Sequence, residues 1–205
     1  MSKISVLMSV YKKENPEYLR ASLESILVQT RTADEILLIE DGPLTQELYQ
    51  VVAEYQKKCD YLHVHAMEQN VQLGRALAKG VELCQYDLIA RMDTDDIAMP
   101  DRLEKEEAYM EAHPEVDVVG GAIREFNDEG TIDRVKNMPK TQEEILEYVK
   151  VRNPLNHMTV MYRKDSILKA GNYKHFPFLE DYSLWSRMLS QGYQFRNMED
   201  TLVRA

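Results

Sequence analysis

Short, continuous runs of apolar residues alternate with amphipathic segments along the first half of the chain. An apolar run of about four to eight residues is typical of a buried strand, whereas apolar positions three or four residues apart are typical of a helix. The pattern predicts strands at 4–11, 36–39, 61–65 and 86–92 and helices at 16–27, 46–58 and 72–84. This alternation indicates an α/β fold with a mainly parallel central sheet flanked by helices. Such sheets bind ligands at the carboxyl ends of their strands.

The second half of the chain has a more mixed pattern. It predicts helices at 101–113, 141–151 and 181–191, extended segments at 116–126, 131–138 and 159–163, and a turn at 127–130. Thr141 and Glu144 have the spacing of a capping box at the start of one helix, and Gly192 ends the last one. At 205 residues the chain is long enough for one substantial core. We therefore expect a single domain over 1–205.

The composition is that of a globular protein with an acidic surface. Hydrophobic residues make up 44% and charged residues 29% of the chain, which excludes a disordered or fibrous protein. The formal net charge is -10, from 25 Lys and Arg against 35 Asp and Glu. Because binding to nucleic acid requires a basic face, we expect no nucleic-acid partner.

The two cysteines and the N-terminal apolar run bear on the compartment. Cys59 and Cys84 form no C-x-x-C motif and cannot build the disulfide framework of a secreted protein. The apolar run at 4–10 is too short for a signal peptide and far short of the roughly 20 residues that span a bilayer. We therefore expect a cytoplasmic protein. Peripheral attachment to the inner face of the membrane stays open.

Three carboxylates follow the predicted strand 86–92 within four residues, at Asp93, Asp95 and Asp96. Close carboxylates repel one another and lose hydration on burial, so a hard divalent cation such as Mg²⁺ or Mn²⁺ would stabilise them. The pattern therefore predicts a metal that carries phosphates. The alternative is a solvated acidic turn in which Asp93 or Asp96 caps the next helix.

Four motifs of the chain resemble those of the family 2 glycosyltransferases, in the family's order. They are Ser9-Val10-Tyr11, Glu40-Asp41-Gly42-Pro43, Met92-Asp93-Thr94-Asp95-Asp96 and Leu179-Glu180-Asp181-Tyr182-Ser183-Leu184-Trp185. One D-x-D motif recurs by chance, but four ordered motifs are far more specific. The resemblance implies the Rossmann-like GT-A architecture of nucleotide-diphospho-sugar transferases, with a donor half at about 1–100 and an acceptor half at about 101–205. Since family members usually continue beyond Arg204, we expect the chain to lack a C-terminal extension.

The resemblance also implies a set of donor-binding residues. The set is Ser9, Val10, Tyr11, Glu40, Asp41, Arg75, Asp93, Thr94 and Asp95. Within it, Asp41 would accept a hydrogen bond from the nucleobase, Asp93 would contact the ribose, and Asp95 would ligate the metal on the diphosphate. For Asp41, the alternative is a turn residue that satisfies its own backbone.

The chain departs from the family pattern at two positions. Leu77-Ala78 replaces the usual arginine-asparagine pair, so Arg75 is the candidate to supply that charge to the diphosphate. Gly42-Pro43 replaces a more usual glycine-serine, which leaves the nucleobase less certain than the fold.

Glu180 and Asp181 match the acidic pair of the family, in which the aspartate is the general base. A sugar hydroxyl is a weak nucleophile at neutral pH, so a base that removes its proton during attack lowers the barrier. We assign this role to Asp181, with Glu180 orienting it. The alternative is that both are first-turn acids that stabilise a helix dipole. His157, in a segment that resembles one of the polysaccharide-building members, is a second candidate metal ligand beside Asp95, or a packing residue.

The function that the resemblance implies is a metal-dependent, inverting glycosyltransferase. It would move a sugar from a nucleoside diphosphate donor, best a UDP-sugar, to a hydroxyl of a saccharide or lipid-linked saccharide in surface polysaccharide synthesis, with Mn²⁺ or Mg²⁺ as cofactor. One alternative is a non-catalytic nucleotide-sugar-binding domain, or a subunit that needs a partner. A nucleotidyltransferase is a weaker alternative, because Lys12-Lys13-Glu14-Asn15 does not resemble a Gly-rich phosphate loop.

Overall fold

The computed structural model describes residues 2–127 and 132–205. The predicted turn at 127–130 and the first residue of the extended segment at 131–138 fall largely in 128–131, outside the described residues. The strands are β1 Ile4–Val10, β2 Glu35–Glu40, β3 Leu62–Ala66, β4 Leu88–Met92, β5 Ile97–Ala98, β6 Val118–Phe126, β7 Asp133–Lys136, β8 Met161–Arg163 and β9 Phe195–Arg204. The helices are α1 Pro16–Leu27, α2 Gln46–Lys58, α3 Leu73–Leu83, α4 Arg102–Ala112, α5 Gln142–Tyr148, α6 Lys164–Lys169 and α7 Glu180–Ser190, with a 3₁₀ turn at His157–Thr159.

The strands form one sheet in the order β3-β2-β1-β4-β8-β6-β9-β5, and β7 pairs with β6. The first four strands are parallel, as the alternation of apolar runs and helices predicts. Beyond β4 the sheet is mixed, because β8 runs antiparallel to both β4 and β6 while β9 runs parallel to β6. The expected α/β sheet flanked by helices is confirmed, with β3-β2-β1-β4 as its continuous parallel part and one further parallel pair, β6 and β9, in the mixed part.

Each face of the parallel strands is covered by helices. Alternate side chains of β1 point to opposite faces, as the period of two in a strand requires. One face packs against α1 and α2 through Ile4, Val6, Met8 and Val10. The other face packs Leu7 against Leu77 of α3 and shares its core with Trp185 of α7. Trp185 is fully buried and meets Phe195 edge to face at 5.7 Å, so it packs the last helix onto the core.

The register of the parallel strands brings the predicted motifs to one edge. Val10 pairs with Glu40, and Met8 pairs with Met92. The residues that follow these strands, Asp41 and Asp93, therefore leave the sheet at neighbouring points. This edge is where the sequence predicts ligand binding.

Three elements, β5, β9 and α6, and the 3₁₀ turn were not predicted, and one strand was misplaced. β9 carries polar side chains such as Asn197 within it, and α6 spans only six residues. The strand predicted from residue 159 begins at Met161, after the 3₁₀ turn. Across residues 2–127 and 132–205, no helix combines the length and the apolar character that crossing a bilayer requires.

Candidate active site

A cavity of about 570 Å³ opens at the carboxyl ends of β1, β2 and β4. The predicted site residues that line it are Ser9, Tyr11, Asp41, Asp93, Thr94, Asp95 and Glu180. They come from four separate stretches of the chain, which the strand register and the start of α7 bring together. Four of the acidic positions singled out in the sequence, Asp41, Asp93, Asp95 and Glu180, thus share one cavity.

The other predicted residues lie outside its lining. Val10 is fully buried in the core against α1 and α2. Glu40 is 6% exposed, and burial raises the pKa of its carboxyl. Arg75 is exposed on α3 and does not line the cavity. Their assignment as donor contacts stays a prediction, and direct side-chain contact is least supported for Val10.

Asp41 holds the loop that follows β3. Its Oδ1 accepts a hydrogen bond from the Val71 amide at 2.6 Å, and its Oδ2 accepts one from the Asn70 side chain at 2.9 Å. Burial raises the pKa of Asp41, while the amides of Val71 and Gln72 oppose the rise. Asp41 therefore accepts hydrogen bonds from a loop that is distant in the sequence. A simple turn residue would hydrogen-bond only to the backbone of its own turn.

Gly42 explains why the loop can lie so close to β2. A Cβ at this position would lie 2.4 Å from the Asn70 amide nitrogen, and its φ of +83° is disfavoured for other residues. Gly42 therefore brings the Asn70 loop to Asp41.

Arg91 neutralises Asp93 from inside the sheet. Its two terminal guanidinium nitrogens donate to the two carboxylate oxygens of Asp93. Arg91 is 1% exposed, and although burial acts to lower its pKa, the contact with Asp93 outweighs this effect and raises it. Asp93 is thus a fixed, charge-balanced member of the acidic cluster, which the solvated-turn alternative does not describe.

Asp95 and Asp96 are left without such a partner. Asp96 is 6% exposed and its Oδ2 has no hydrogen-bond partner among the described residues. Burial, followed by the charges of Asp93 and Asp95, raises the pKa of Asp96 to about 8. Burial, Asp93 and Glu14 likewise raise the pKa of Asp95.

The acidic cluster fits a divalent cation. One oxygen from each of Asp93, Asp95 and Asp96 lies within 4.8 Å of the others. A buried carboxylate oxygen with no partner and a set of all-oxygen ligands suit a hard cation such as Mg²⁺ or Mn²⁺. The residues present therefore fit the predicted metal.

Asp181 lies in the first turn of α7 beside the cavity. Its Oδ2 accepts a hydrogen bond from the Asn153 side chain at 2.6 Å, and its Oδ1 accepts one from the Tyr182 amide at 2.7 Å. Burial raises the pKa of Asp181, and these two hydrogen bonds oppose the rise. A buried carboxylate that is held in place and made more basic than usual suits a general base.

His157 lies next to Asp181, apart from the Asp95 cluster. Its Nδ1 is 4.0 Å from Asp181 Oδ2, and its Nε2 is 3.0 Å from the Tyr173 hydroxyl. Burial and the charge of Arg91 hold the pKa of His157 well below its usual range, so the ring is neutral near pH 7. The structure groups His157 with Glu180 and Asp181, whereas Asp95 belongs to the other acidic cluster. A metal shell shared by Asp95 and His157 stays a prediction that this grouping does not favour.

Comparison with known proteins places this site in a family. The family model described as glycosyl transferase family 2 matches residues 5–174. The chain belongs to glycosyl transferase family 2. The family suggested by the four motifs is thereby confirmed.

Two relatives of this family 2 glycosyltransferase cover nearly the whole chain. The amylovoran biosynthesis glycosyltransferase AmsE of Erwinia amylovora is 44% identical over 200 residues, which are 98% of this chain and 74% of that protein. The UDP-Gal:alpha-D-GlcNAc-diphosphoundecaprenol beta-1,3-galactosyltransferase of Escherichia coli is 35% identical over 207 residues, 98% of this chain and 73% of that protein.

Solved structures show that the fold is GT-A. S. aureus TarS 1-349 in complex with UDP-GlcNAc has a TM-score of 0.80 at 20% identity, over 99% of this chain and 58% of that one. The mannosyltransferase PcManGT from Pyrobaculum calidifontis, in complex with GDP-Man and Mn2+, has a TM-score of 0.78 at 12% identity, over 100% of this chain and 56% of that one. The glycosyltransferase thus spans a little over half the length of these two proteins.

Several side chains of the glycosyltransferase site were missed in the sequence, among them Arg91, Glu14 and Asn153. Arg91 carried a signal, because it is a charged residue in an apolar strand two positions before Asp93, on the same face. Glu14 accepts a 2.6 Å hydrogen bond from Thr94 and lines the cavity. Asn153, the partner of Asp181, lies 28 residues away in the chain, and no local pattern links the two.

Proposed function

We propose that this family 2 glycosyltransferase transfers a sugar from a nucleoside diphosphate sugar, best a UDP-sugar, to a hydroxyl acceptor with inversion. One observation carries the proposal. Asp41, Asp93 and Asp95 of the acidic cluster, and Glu180 line one cavity, and Asp181 is held beside it by Asn153. A cavity of about 570 Å³ is within the range of small-molecule and cofactor sites.

The donor would bind across the carboxyl ends of β1, β2 and β4. Asp41 would accept from the nucleobase, and Asp93, whose orientation Arg91 fixes, would accept from the ribose. Asp95 and Asp96 would hold a divalent cation, which when bound supplies Lewis acidity that stabilises the departing diphosphate. The Mn2+ in the PcManGT structure supports this cofactor class.

Asp181 would take the proton of the acceptor hydroxyl as the oxygen attacks the anomeric carbon. A single displacement with attack opposite the leaving diphosphate inverts the anomeric configuration. Asn153 and the Tyr182 amide hold the carboxylate. The His157 ring beside it is neutral, so it adds no positive charge next to the base. Glu180, which lines the donor cavity, would orient its neighbour.

The relatives support a role in the synthesis of a surface polysaccharide. One is named for amylovoran biosynthesis, and another transfers galactose from UDP-Gal to a diphosphoundecaprenol-linked sugar. We extend this class of acceptor, a saccharide or lipid-linked saccharide, to the present chain, acting as a single catalytic domain over 1–205. Cys59 and Cys84 are both free and buried, which supports action in the reducing cytoplasm, including the inner face of the membrane.

The test is UDP-sugar turnover by Asp181→Asn, with Asp165→Asn as the matched control. Asp165 is also a first-turn acid, at the start of α6, and is exposed. We expect Asp181→Asn to lower transfer by about 10²- to 10⁴-fold while UDP affinity is kept, and Asp165→Asn to change neither. Product NMR should show the opposite anomeric configuration to the donor. Equal, slow turnover by wild type and Asp181→Asn, with UDP still bound, would instead favour a non-catalytic nucleotide-sugar binder.

A further inference from the structure

A second cavity, of about 340 Å³, lies next to the Glu180–Asp181 pair, although neither residue of the pair lines it. Asn153 and His157 line it, and these are the side chains that contact or flank the Asp181 carboxylate, at 2.6 Å and 4.0 Å. The donor cavity reaches the same pair through Glu180. The candidate base thus lies between two cavities, as a reaction that joins a donor to an acceptor requires.

The two cavities differ in charge. Five carboxylates line the donor cavity: Glu14, Asp41, Asp93, Asp95 and Glu180. Of the described residues that line the second cavity, none is acidic, and Lys136 and Arg152 are both among them. In the described part of the chain, no carboxylate oxygen lies within 4.0 Å of a side-chain nitrogen of Lys136 or Arg152. The protein as a whole carries a net charge of -10. A local excess of positive charge next to a candidate base, in an acidic protein, indicates an anionic ligand.

The rest of the second cavity is largely apolar. Met138, Tyr148, Leu155 and Met158 line it. Met138 and Tyr148 also line an adjoining open groove, together with Val151, whose side chain is largely exposed at 74%. An apolar wall with two cations and two amides, those of Asn153 and Asn156, suits a ligand that carries a phosphate, a sugar face and an apolar substituent.

We propose that the second cavity is an acceptor subsite that recognises a saccharide bearing a phosphate or diphosphate. Lys136 and Arg152 pair with the phosphate oxygens, and Arg152 offers the forked donors that match two of them. The anchored phosphate places the sugar against Asn153 and His157, so that one hydroxyl meets Asp181. The proposal rests on the transfer reaction proposed above, and it adds which feature of the acceptor is recognised and by which residues.

The test measures binding, so that it does not depend on finding the correct acceptor sugar. The probes are octyl diphosphate, inorganic pyrophosphate and the uncharged octyl glucoside, titrated by calorimetry with UDP at saturation to occupy the donor cavity. The variant is Lys136→Gln/Arg152→Gln. Its matched control is Lys57→Gln/Lys169→Gln, which removes the same charge from exposed positions on α2 and α6.

We expect saturable binding of octyl diphosphate to the wild type, at least tenfold weaker binding to Lys136→Gln/Arg152→Gln, and no change in the control. Octyl glucoside should not distinguish the variants. Tighter binding of octyl diphosphate than of pyrophosphate identifies a lipid-linked headgroup, and equal binding identifies a soluble phosphate; each supports the subsite. Absence of saturable binding, or equal affinity in the double variant, overturns it. Failure of UDP to bind the wild type would count against the proposed donor and not against the subsite. The subsite is tested separately, by octyl diphosphate binding and its loss in Lys136→Gln/Arg152→Gln.

Discussion

Asn153→Ala should move the pH dependence of catalysis without removing the base. The Asn153 side chain donates a 2.6 Å hydrogen bond to Oδ2 of Asp181, whose side chain is 11% exposed. A hydrogen bond to a charged group is worth about 1.5–3 kcal/mol. It stabilises the carboxylate, so its loss raises the pKa of Asp181. Since 1.36 kcal/mol corresponds to one pH unit, the change should be about one to two pH units.

The assay is the pH profile of kcat/KM for UDP-sugar transfer, which reports the ionisation of the free enzyme. A general base acts only when deprotonated, so activity falls as the pH drops through its pKa. The acidic limb of the Asn153→Ala profile should therefore lie about one to two pH units higher than that of the wild type. Above the limb, the two enzymes should approach each other in rate, and below it the variant should lose about tenfold per pH unit.

The control is Gln191→Ala, which removes an exposed amide just after α7 and should leave the profile unchanged. An acidic limb that stays in place in Asn153→Ala, with activity lowered equally at all pH values, would refute the assignment. That result would mean that Asn153 positions the acceptor or the fold and that Asp181 is not the group that titrates.

Three further predictions concern neighbouring features. Gly74→Ala should lower kcat/KM by at least about tenfold with the fold retained, because the added Cβ would lie 2.6 Å from the Lys174 carbonyl oxygen and 3.0 Å from the Glu180 Cβ and would displace the segment that leads into Glu180; circular dichroism and initial rates check this. Mn²⁺ at 100 times its Kd should raise the Tm of the wild type by about 5–10 °C, and Asp95→Asn should abolish the rise in a thermal melt. Arg102→Met should destabilise the protein by about 3–5 kcal/mol in urea, since it leaves the fully buried Glu106 without its 3.1 Å partner, while Arg102→Met/Glu106→Leu should be close to neutral. A wild-type kcat/KM for Gly74→Ala, a full Tm rise with Mn²⁺ in Asp95→Asn, or wild-type stability of Arg102→Met would contradict the respective prediction.

The parallel half of the fold could be predicted from the sequence because its determinants are local. β1, β2 and β4 are continuous apolar runs, and Asn15, which caps α1 before Pro16, has a signature that a short window contains. Once these elements are parallel neighbours, their carboxyl ends must meet, and Asp41 and Asp93 follow from that geometry alone. The sequence therefore predicts the edge of the sheet at which the cavity of about 570 Å³ opens.

The rest could not be predicted because it depends on contacts between distant segments. β9 has a polar middle and is a strand because β6 and β5 pair with its two edges. Asn153 and Asp181 meet only after the chain has returned through β8 and α6. The same holds for the second cavity, which joins Lys136 of β7 to the segment before the 3₁₀ turn. Tertiary placement, rather than propensity, decides these features.

Within the acidic cluster Arg91 balances the charge of Asp93, whereas the charge of Asp96 depends on pH, and this links metal binding to pH. The sequence suggested that three close carboxylates need a cation, but Arg91 already neutralises Asp93. Asp96, with its pKa raised to about 8 by burial and by the charges of Asp93 and Asp95, is protonated at neutral pH without a metal. That neutral form removes one negative charge from the cluster. Because Asp96 must lose its proton to act as a ligand, divalent affinity should rise with pH until about pH 8 and then level off.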